Sequence, residues 1–337
     1  MKSSKDKIFG LVLAVLVAFS GYTYYKLDQI EQRLDYEGYK EVSDMYAKKL
    51  SLKSAYGDTQ AYHPKVISFE EKWNGYKYWM AFSPYPYGDS SKENPHVVVS
   101  NDKINWERLD NYLLDEPTDF AGGKRYNSDP HLVFNSDKNI LECYWRYVDD
   151  KEDKVIIYRR TTKDGINWTK KEVILQETRS KKDYVSPAII YEDGIYKLWY
   201  VNEVKVHYME SKDLKNWSKP VTLDIEFSEG VKAWHIDVIH TEKGYEMIIV
   251  AFTDWEHRMY MNLYYTYSTD NKSWSVADTI LTPATGTNKW YNSGLYRSSI
   301  LYEDGKYYVY FSGQGVNNAK GTGLMSGTDI FKLEPEF

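Results

Sequence analysis

The heptapeptide SNDKINW at residues 100–106 returns as TKDGINW at 162–168, SKDLKNW at 211–217 and STDNKSW at 268–274, and in degraded form as SGTDIF at 326–331. Its aspartates stand at 102, 164, 213, 270 and 329, with spacings of 62, 49, 57 and 59 residues. An Asp in this setting accepts hydrogen bonds from the backbone N–H groups that follow it and fixes a hairpin turn, while the Trp packs beneath. A unit recurring at this period marks a repeat architecture, in which each copy is one supersecondary element.

Working outward from each turn, a preceding strand repeats as well: YKYWMAF at 76–82, LECYWRY at 141–147, YKLWYV at 196–201, YEMIIVA at 245–251 and YYVYFS at 307–312. β-branched and aromatic residues dominate these runs and helical periodicity is missing, so they read as buried strands. Four strands per unit and five units of about 55 residues predict an all-β fold, a five-bladed β-propeller. An irregular β-sandwich would supply similar strands without five Asp turns in phase. Glycines 313, 315, 321 and 323 read as a late turn of the last unit, without the strand-to-helix setting of a phosphate loop.

Composition agrees with a large packed domain. The 337 residues include 33 Tyr, 11 Trp and 11 Phe, and 42% are hydrophobic, which excludes wholesale disorder. A formal net charge of −6 argues against a nucleic-acid partner. Cys143 is the single cysteine, so neither an intramolecular disulfide nor a CxxC zinc site is available. GxSxG, HExxH, Walker A and post-strand GxGxxG motifs are all missing from the sequence.

The N-terminus is the local exception to a polar chain of mean hydropathy −0.63. Residues 8–25 are uncharged, preceded by Lys2, Lys5 and Lys7 and followed by Lys26. This is the layout of a signal anchor, with Tyr22, Tyr24 and Tyr25 as an interfacial belt; Ala18 and Ser20 offer a cleavage site if it is instead a signal peptide. The expected organisation is an N-terminal transmembrane helix at 1–25, a short helical stalk at 26–59 and the propeller at 60–337. The positive-inside rule then places the propeller outside the cytoplasm, at the cell membrane.

The first strand of each unit carries the chemistry. HPKV at 63–66, DPHL at 129–132, SPAI at 186–189, HIDV at 235–238 and RSSI at 297–300 align, and in a propeller the innermost strands line a central channel. Ionisable side chains interrupting hydrophobic strands at equivalent places are costly unless they face water, a ligand or one another. They either converge on a pocket or form a network that closes the channel.

Blade number, the Asp turns and the segment NSDPHLV at 127–133 together resemble the five-bladed propeller superfamily of glycoside hydrolases that contains arabinanase/xylosidase-like and invertase/levansucrase-like enzymes. The resemblance implies an acidic triad at the channel mouth: an Asp as base or nucleophile, an Asp steadying the transition state and a Glu as general acid. Asp129 matches the second of these. His63 stands at the first acidic position and Ser186 opens the strand that bears the Glu, so this sequence departs from the pattern at both.

Glycoside hydrolysis needs two carboxyls flanking the scissile bond. Asp129 with Asp237 is the expected pair, Glu203 the reserve acid, and His63 or His235 an alternative in proton transfer. His235, Arg297, Ser186 and Glu93 are expected to bind substrate, with Trp234 and Tyr85 stacking on sugar faces; Tyr184, Trp290 and Tyr291 are further aromatic candidates. His63, His235, Asp129 and Asp237 are residue types that could ligate a metal, but spacing across separate units says nothing of geometry, and neither metal nor cofactor is expected. The leading expectation is an extracytoplasmic glycosidase acting on a polysaccharide or oligosaccharide. A non-catalytic glycan-binding propeller is the alternative, and a protein-interaction propeller with a structural channel the third reading.

Overall fold

Twenty strands fall in chain order into five four-stranded antiparallel sheets in the computed structural model, which describes residues 47–116, 124–285 and 290–337. The first sheet holds β1 (Ala61–Trp73), β2 (Tyr76–Pro84), β3 (His96–Ser100) and β4 (Glu107–Leu113). The second holds β5 (Arg125–Asn135), β6 (Ile140–Asp149), β7 (Lys154–Thr162) and β8 (Glu172–Thr178). The third holds β9 (Val185–Glu192), β10 (Ile195–Asn202), β11 (Lys205–Ser211) and β12 (Val221–Thr222). The fourth holds β13 (Lys232–Thr241), β14 (Gly244–Phe252), β15 (Asn262–Ser268) and β16 (Asp278–Leu281). The fifth holds β17 (Gly294–Glu303), β18 (Lys306–Gln314), β19 (Lys320–Gly327) and β20 (Glu334–Pro335). The expected five-bladed propeller is the observed architecture.

Burial explains the sequence pattern. Each blade packs face to face on its neighbours, so second strands such as β14 and β18 are buried almost throughout and read as continuous hydrophobic runs. Outer strands such as β4 and β8 are largely exposed. The apolar core divides into clusters at the blade junctions. One joins Met80 and Phe82 to Tyr310 and Leu324, closing blade I on blade V; another joins Trp79 and Val99 to Leu132 and Cys143. The repeated Trp106, Trp168, Trp217 and Trp274 each pack on one of these clusters.

The Asp turns form as the sequence requires. Asp102 Oδ1 accepts from the N–H groups of Ile104 and Asn105 at 3.0 and 2.7 Å, and Asp164, Asp213 and Asp270 repeat the arrangement. In the second copy Gly165, at φ +77°, lies against the Trp79 ring of the preceding blade, where a Cβ would stand 2.1 Å from the indole.

At Asp102 burial works upward, but hydrogen bonds from Asn105, Ile104 and Ser100 outweigh it and lower the carboxyl to about 2; backbone N–H bonds do the same at Asp270, also to about 2. A folded value below the unfolded one contributes stability at pH above about 4 that is lost as pH falls toward 2. Urea midpoints are therefore expected to drop across that window, and to drop less in an Asp102→Asn/Asp270→Asn double variant. An unchanged acid slope would remove the turns from the stability account.

Residues 47–52, inside the segment expected as stalk, run beside β19. Leu50 N–H donates to Thr322 O at 2.8 Å, Lys49 bridges Gly323, and Leu50 and Leu52 are buried in the blade V–I cluster. Gly321 and Gly323 are consequently not turn residues: they lie on β19, where Lys49, Trp290 and Phe311 press against the backbone, and Gly313 is on β18. The expected transmembrane helix and residues 26–46 of the stalk lie outside the described residues, among which no helix is long and apolar enough to cross a membrane.

Candidate active site

All five inner strands carry a bulge near the channel. The ladder slips between Tyr62 and Lys65 in β1, between Ser128 and His131 in β5, opposite Ser186 and Pro187 in β9, between Ala233 and His235 in β13, and between Tyr296 and Ser299 in β17. In three of them the bulged residue precedes proline and sits in the left-handed region: His63 at φ 55°, Asp129 at 53° and Ser186 at 54°. Proline has no N–H to lose from the ladder, which suits it to this place. The bulge re-aims the side chain, and left-handed backbone at non-glycine residues concentrates at functional sites.

His63, Asp129 and His235 are aimed together. One ligand atom from each lies within 4.8 Å of the others, and the residues are 2%, 1% and 3% exposed. Asp129 Oδ2 accepts from Ser128 Oγ at 3.1 Å and from the Ser186 N–H at 3.4 Å. Its Oδ1 stands 3.3 Å from His235 Nδ1 but outside hydrogen-bond geometry, so Asp129 Oδ1 and both His235 ring nitrogens are buried atoms without a hydrogen-bond partner. Ser83 Oγ, 2.7 Å from His63 Nδ1, fixes that ring. Orphaned buried polar atoms of this kind call for a ligand.

Charge states follow from burial. Desolvation lowers the His63 imidazole to about 3 and also lowers His235, leaving both neutral. Burial raises the Asp129 carboxyl, yet its coupling to His235 and His63 and the charge of Arg297 outweigh it and hold it well below the ordinary range; with both imidazoles neutral, Arg297 is the cation that remains. Neutral imidazoles and an ionised carboxylate are the forms that bind metal, and two His with one Asp suit a divalent transition metal such as zinc. Glu93 completes the wall: its Oε2 is 3.7 Å from His63 Nδ1, and burial pushes its carboxyl well above the usual value.

Aromatic rings line the cluster. Tyr296 lies 4.3 Å from the His235 ring and 5.3 Å from His63; its hydroxyl accepts from Trp234 Nε1 at 3.2 Å. Trp234 is 5.8 Å from His235, and Tyr85 stacks 6.2 Å from His63.

A second ring of side chains, two residues further along most of the inner strands, closes the channel. Lys65 Nζ donates to both Asp237 oxygens at 2.8 and 3.0 Å, and Asp237 Oδ2 also accepts from Ile300 N–H. His131 Nε2 accepts from Ile189 N–H, and Ser299 Oγ from Val66 N–H. The Asp237–Ile300, His131–Ile189 and Ser299–Val66 bonds each tie one inner strand to the next blade, and the Lys65–Asp237 pair reaches across from blade I to blade IV.

No family model matches the chain. Among curated proteins it is similar to the A type blood N-acetyl-alpha-D-galactosamine deacetylase of Flavonifractor plautii, 26% identical over 321 residues. The match takes in 80% of this chain, which spans 40% of that relative's length. The solved N-acetylgalactosamine deacetylase from F. plautii, in complex with blood group B trisaccharide, superposes with TM-score 0.74 and 22% identity over 85% of this chain and 96% of that one. A thermostable family-43 glycoside hydrolase gives 0.61 at 14% identity over 87% and 96%. An exo-1,5-alpha-L-arabinanase from a bovine ruminal metagenomic library gives 0.57 at 14% over 80% and 94%. The fold is that of the five-bladed glycoside hydrolase propellers, in a divergent form.

Within this propeller the expected site residues separate. His63, Asp129, His235, Glu93, Trp234 and Tyr85 come together. Asp237 does not face Asp129 across an open pocket, because it is locked to Lys65 in the closing ring. Arg297 is fully buried and bonded to the carbonyls of Pro130 and Pro187, leaving it no reach to a sugar. Ser186 Oγ is spent on the backbone of Ile236, and Glu203 is exposed on the β10–β11 hairpin. Tyr184 and Tyr291 are core residues, and Trp290 stacks on Phe311 and donates to Ala47 O. Tyr296 escaped the sequence reading, although it stands one residue before Arg297 on an inner strand of the propeller.

Proposed function

We propose that this propeller is a carbohydrate-active hydrolase that removes an acyl group, as acetate from an acetamido sugar, using a divalent metal held by His63, Asp129 and His235. The observation that carries the reading is the convergence of His63, Asp129 and His235 from three bulged inner strands, with Asp129 Oδ1 and both His235 ring nitrogens buried and without a hydrogen-bond partner. The resemblance to a protein named as a glycan deacetylase supports it. A metal bound there would supply Lewis acidity, polarising the acyl carbonyl and easing deprotonation of the attacking water.

The protein's own groups do the rest. Glu93, beside His63, is placed to take the proton from the attacking water and pass it to the departing sugar nitrogen as the C–N bond breaks, so that acetate and amine leave in balance. The rings of Tyr296 and Tyr85 pack beside the cluster, and Trp234 offers a flat surface to a sugar ring. The test is the identity of the product. On N-acetylated oligosaccharides the protein is expected to release acetate and leave chain length unchanged; new reducing ends without acetate would refute acyl transfer to water.

That second outcome belongs to a glycosidase reading, which one observation favours. Asp129 and Glu93 are buried carboxyls whose environments drive their proton affinities apart, the signature of an acid and base pair. It leaves the orphaned nitrogens of His235 unexplained and ranks second.

We further place the chain at the cell membrane, anchored by residues 1–25 with the propeller outside, on the strength of the lysine-flanked apolar run. The full chain is expected in the membrane fraction and to be cut by protease added to intact cells. Recovery in the soluble cytoplasmic fraction would overturn the assignment.

A further inference from the structure

Two cations at the edge of the cluster have no ion-pair partner among the described residues. Lys320, at the start of β19, is 3% exposed, yet its ammonium donates only to the neutral oxygens of Asn318, at 2.7 Å, and Gln314. It stands 5.1 Å from the Tyr62 ring centroid and 5.3 Å from that of Tyr85. Gln60 Oε1 accepts from both Lys320 N–H and Tyr87 N–H, tying this end of β19 to the loop that carries Tyr85. Burial lowers the Lys320 ammonium to about 7, and the charge of Glu93 opposes that shift.

Arg258 is the other. Its guanidinium lies 5.0 Å from the Trp234 ring centroid and 6.0 Å from that of Trp255, which is 56% exposed. Neither cation has a carboxylate within ion-pair distance among the described residues, in a chain whose 49 acidic residues outnumber its 43 basic ones. A buried ammonium whose hydrogen-bond partners are all neutral is expensive. A planar guanidinium over an indole is a ready fork for a carboxylate or phosphate carried by a sugar that stacks on the same ring.

We propose that the rim of the site holds a subsite for an anionic substituent of the glycan, read by Lys320 beside Tyr85 and by Arg258 over Trp234. The substrate class is then an acidic glycan, bearing a uronate carboxylate or a sugar phosphate. This rests on the carbohydrate-active reading of the neighbouring cluster.

The test uses the full-length protein and ligand-observed NMR titration with D-glucuronate and D-galacturonate, their methyl esters, and glucose 6-phosphate and galactose 6-phosphate. The anions are expected to bind about tenfold more tightly than the esters, the size of one charge-assisted contact. That preference is expected to fall to about twofold or less in Lys320→Met and in Arg258→Gln. Arg258 is on a partly exposed loop, so its variant keeps the test sound if Lys320→Met fails a near-UV dichroism check of folding. Preference for uronates alone assigns the substituent as a carboxylate, and equal or greater affinity for the phosphates assigns a phosphate. Esters bound as tightly as acids, or a preference surviving both substitutions, would overturn the anion subsite and leave the carbohydrate reading standing. Absence of binding by every sugar would overturn both.

Discussion

Asp129→Asn is expected to abolish acetate release and to weaken divalent-metal binding by more than about 100-fold, the upper range for losing a residue that only supports a metal ligand. The substitution keeps the shape of the side chain and an oxygen to accept from Ser128 Oγ and the Ser186 N–H, so the bulge in β5 and the fold are expected to persist. It removes the only carboxylate among the three gathered ligands and leaves two neutral imidazoles to hold a dication. His235→Ala is expected to act in the same direction, because both of its ring nitrogens are buried without a hydrogen-bond partner. Calorimetric zinc titration beside acetate release measures the two effects together. A folded Asp129→Asn protein that binds zinc normally would remove Asp129 from the metal site.

The second large effect is on stability. Lys65→Met strands the Asp237 carboxylate, 1% exposed, in the closed end of the channel. Breaking a buried pair by removing one partner costs about 3–5 kcal/mol. Replacing both, as Lys65→Met with Asp237→Asn, is expected to recover most of the loss. Asn still accepts from the Ile300 N–H that ties blade IV to blade V, and no uncompensated charge remains. Urea unfolding of the two single variants and the double variant gives the coupling directly. If Lys65→Met were as stable as the parent, the closing ring would not be the device that pins the inner strands.

These two predictions divide residues that the sequence places side by side. His63 and Lys65, Asp129 and His131, and His235 and Asp237 are pairs two apart on inner strands, so alternation alone assigns both members of each pair to the channel. Depth along the channel is not encoded in that period. Depth decides that Asp129 meets His63 and His235 while Asp237 meets Lys65. The bulges matter equally, since each slips the ladder by a residue and re-aims the side chains beyond it; the X–Pro steps at 63–64, 129–130 and 186–187 are their visible trace.

The fold was more legible than the site because its signals are local. An Asp bonding the next two or three N–H groups and a Trp packing beneath are set by consecutive residues, and five copies in phase leave few topologies. Lys320 and Arg258 had no such signal. Each comes from a different blade, and what distinguishes them is the absence of a counter-ion, a property of assembled surroundings. Glu203 shows the converse: its place after a strand of blade III suggested the channel, and the left-handed turn at φ 49° puts it on an exposed hairpin instead.

The central claim is that a metal held by His63, Asp129 and His235 is required to hydrolyse an acyl group from a glycan. The most direct measurement is acetate release from an N-acetylated oligosaccharide by full-length protein stripped with a chelator and then titrated with zinc or manganese. The account predicts that stripped protein is inactive, that a stoichiometric amount of metal restores acetate release, and that Asp129→Asn is not restored. Undiminished acetate release from metal-free protein, or cleavage to new reducing ends with no acetate under either condition, would contradict it.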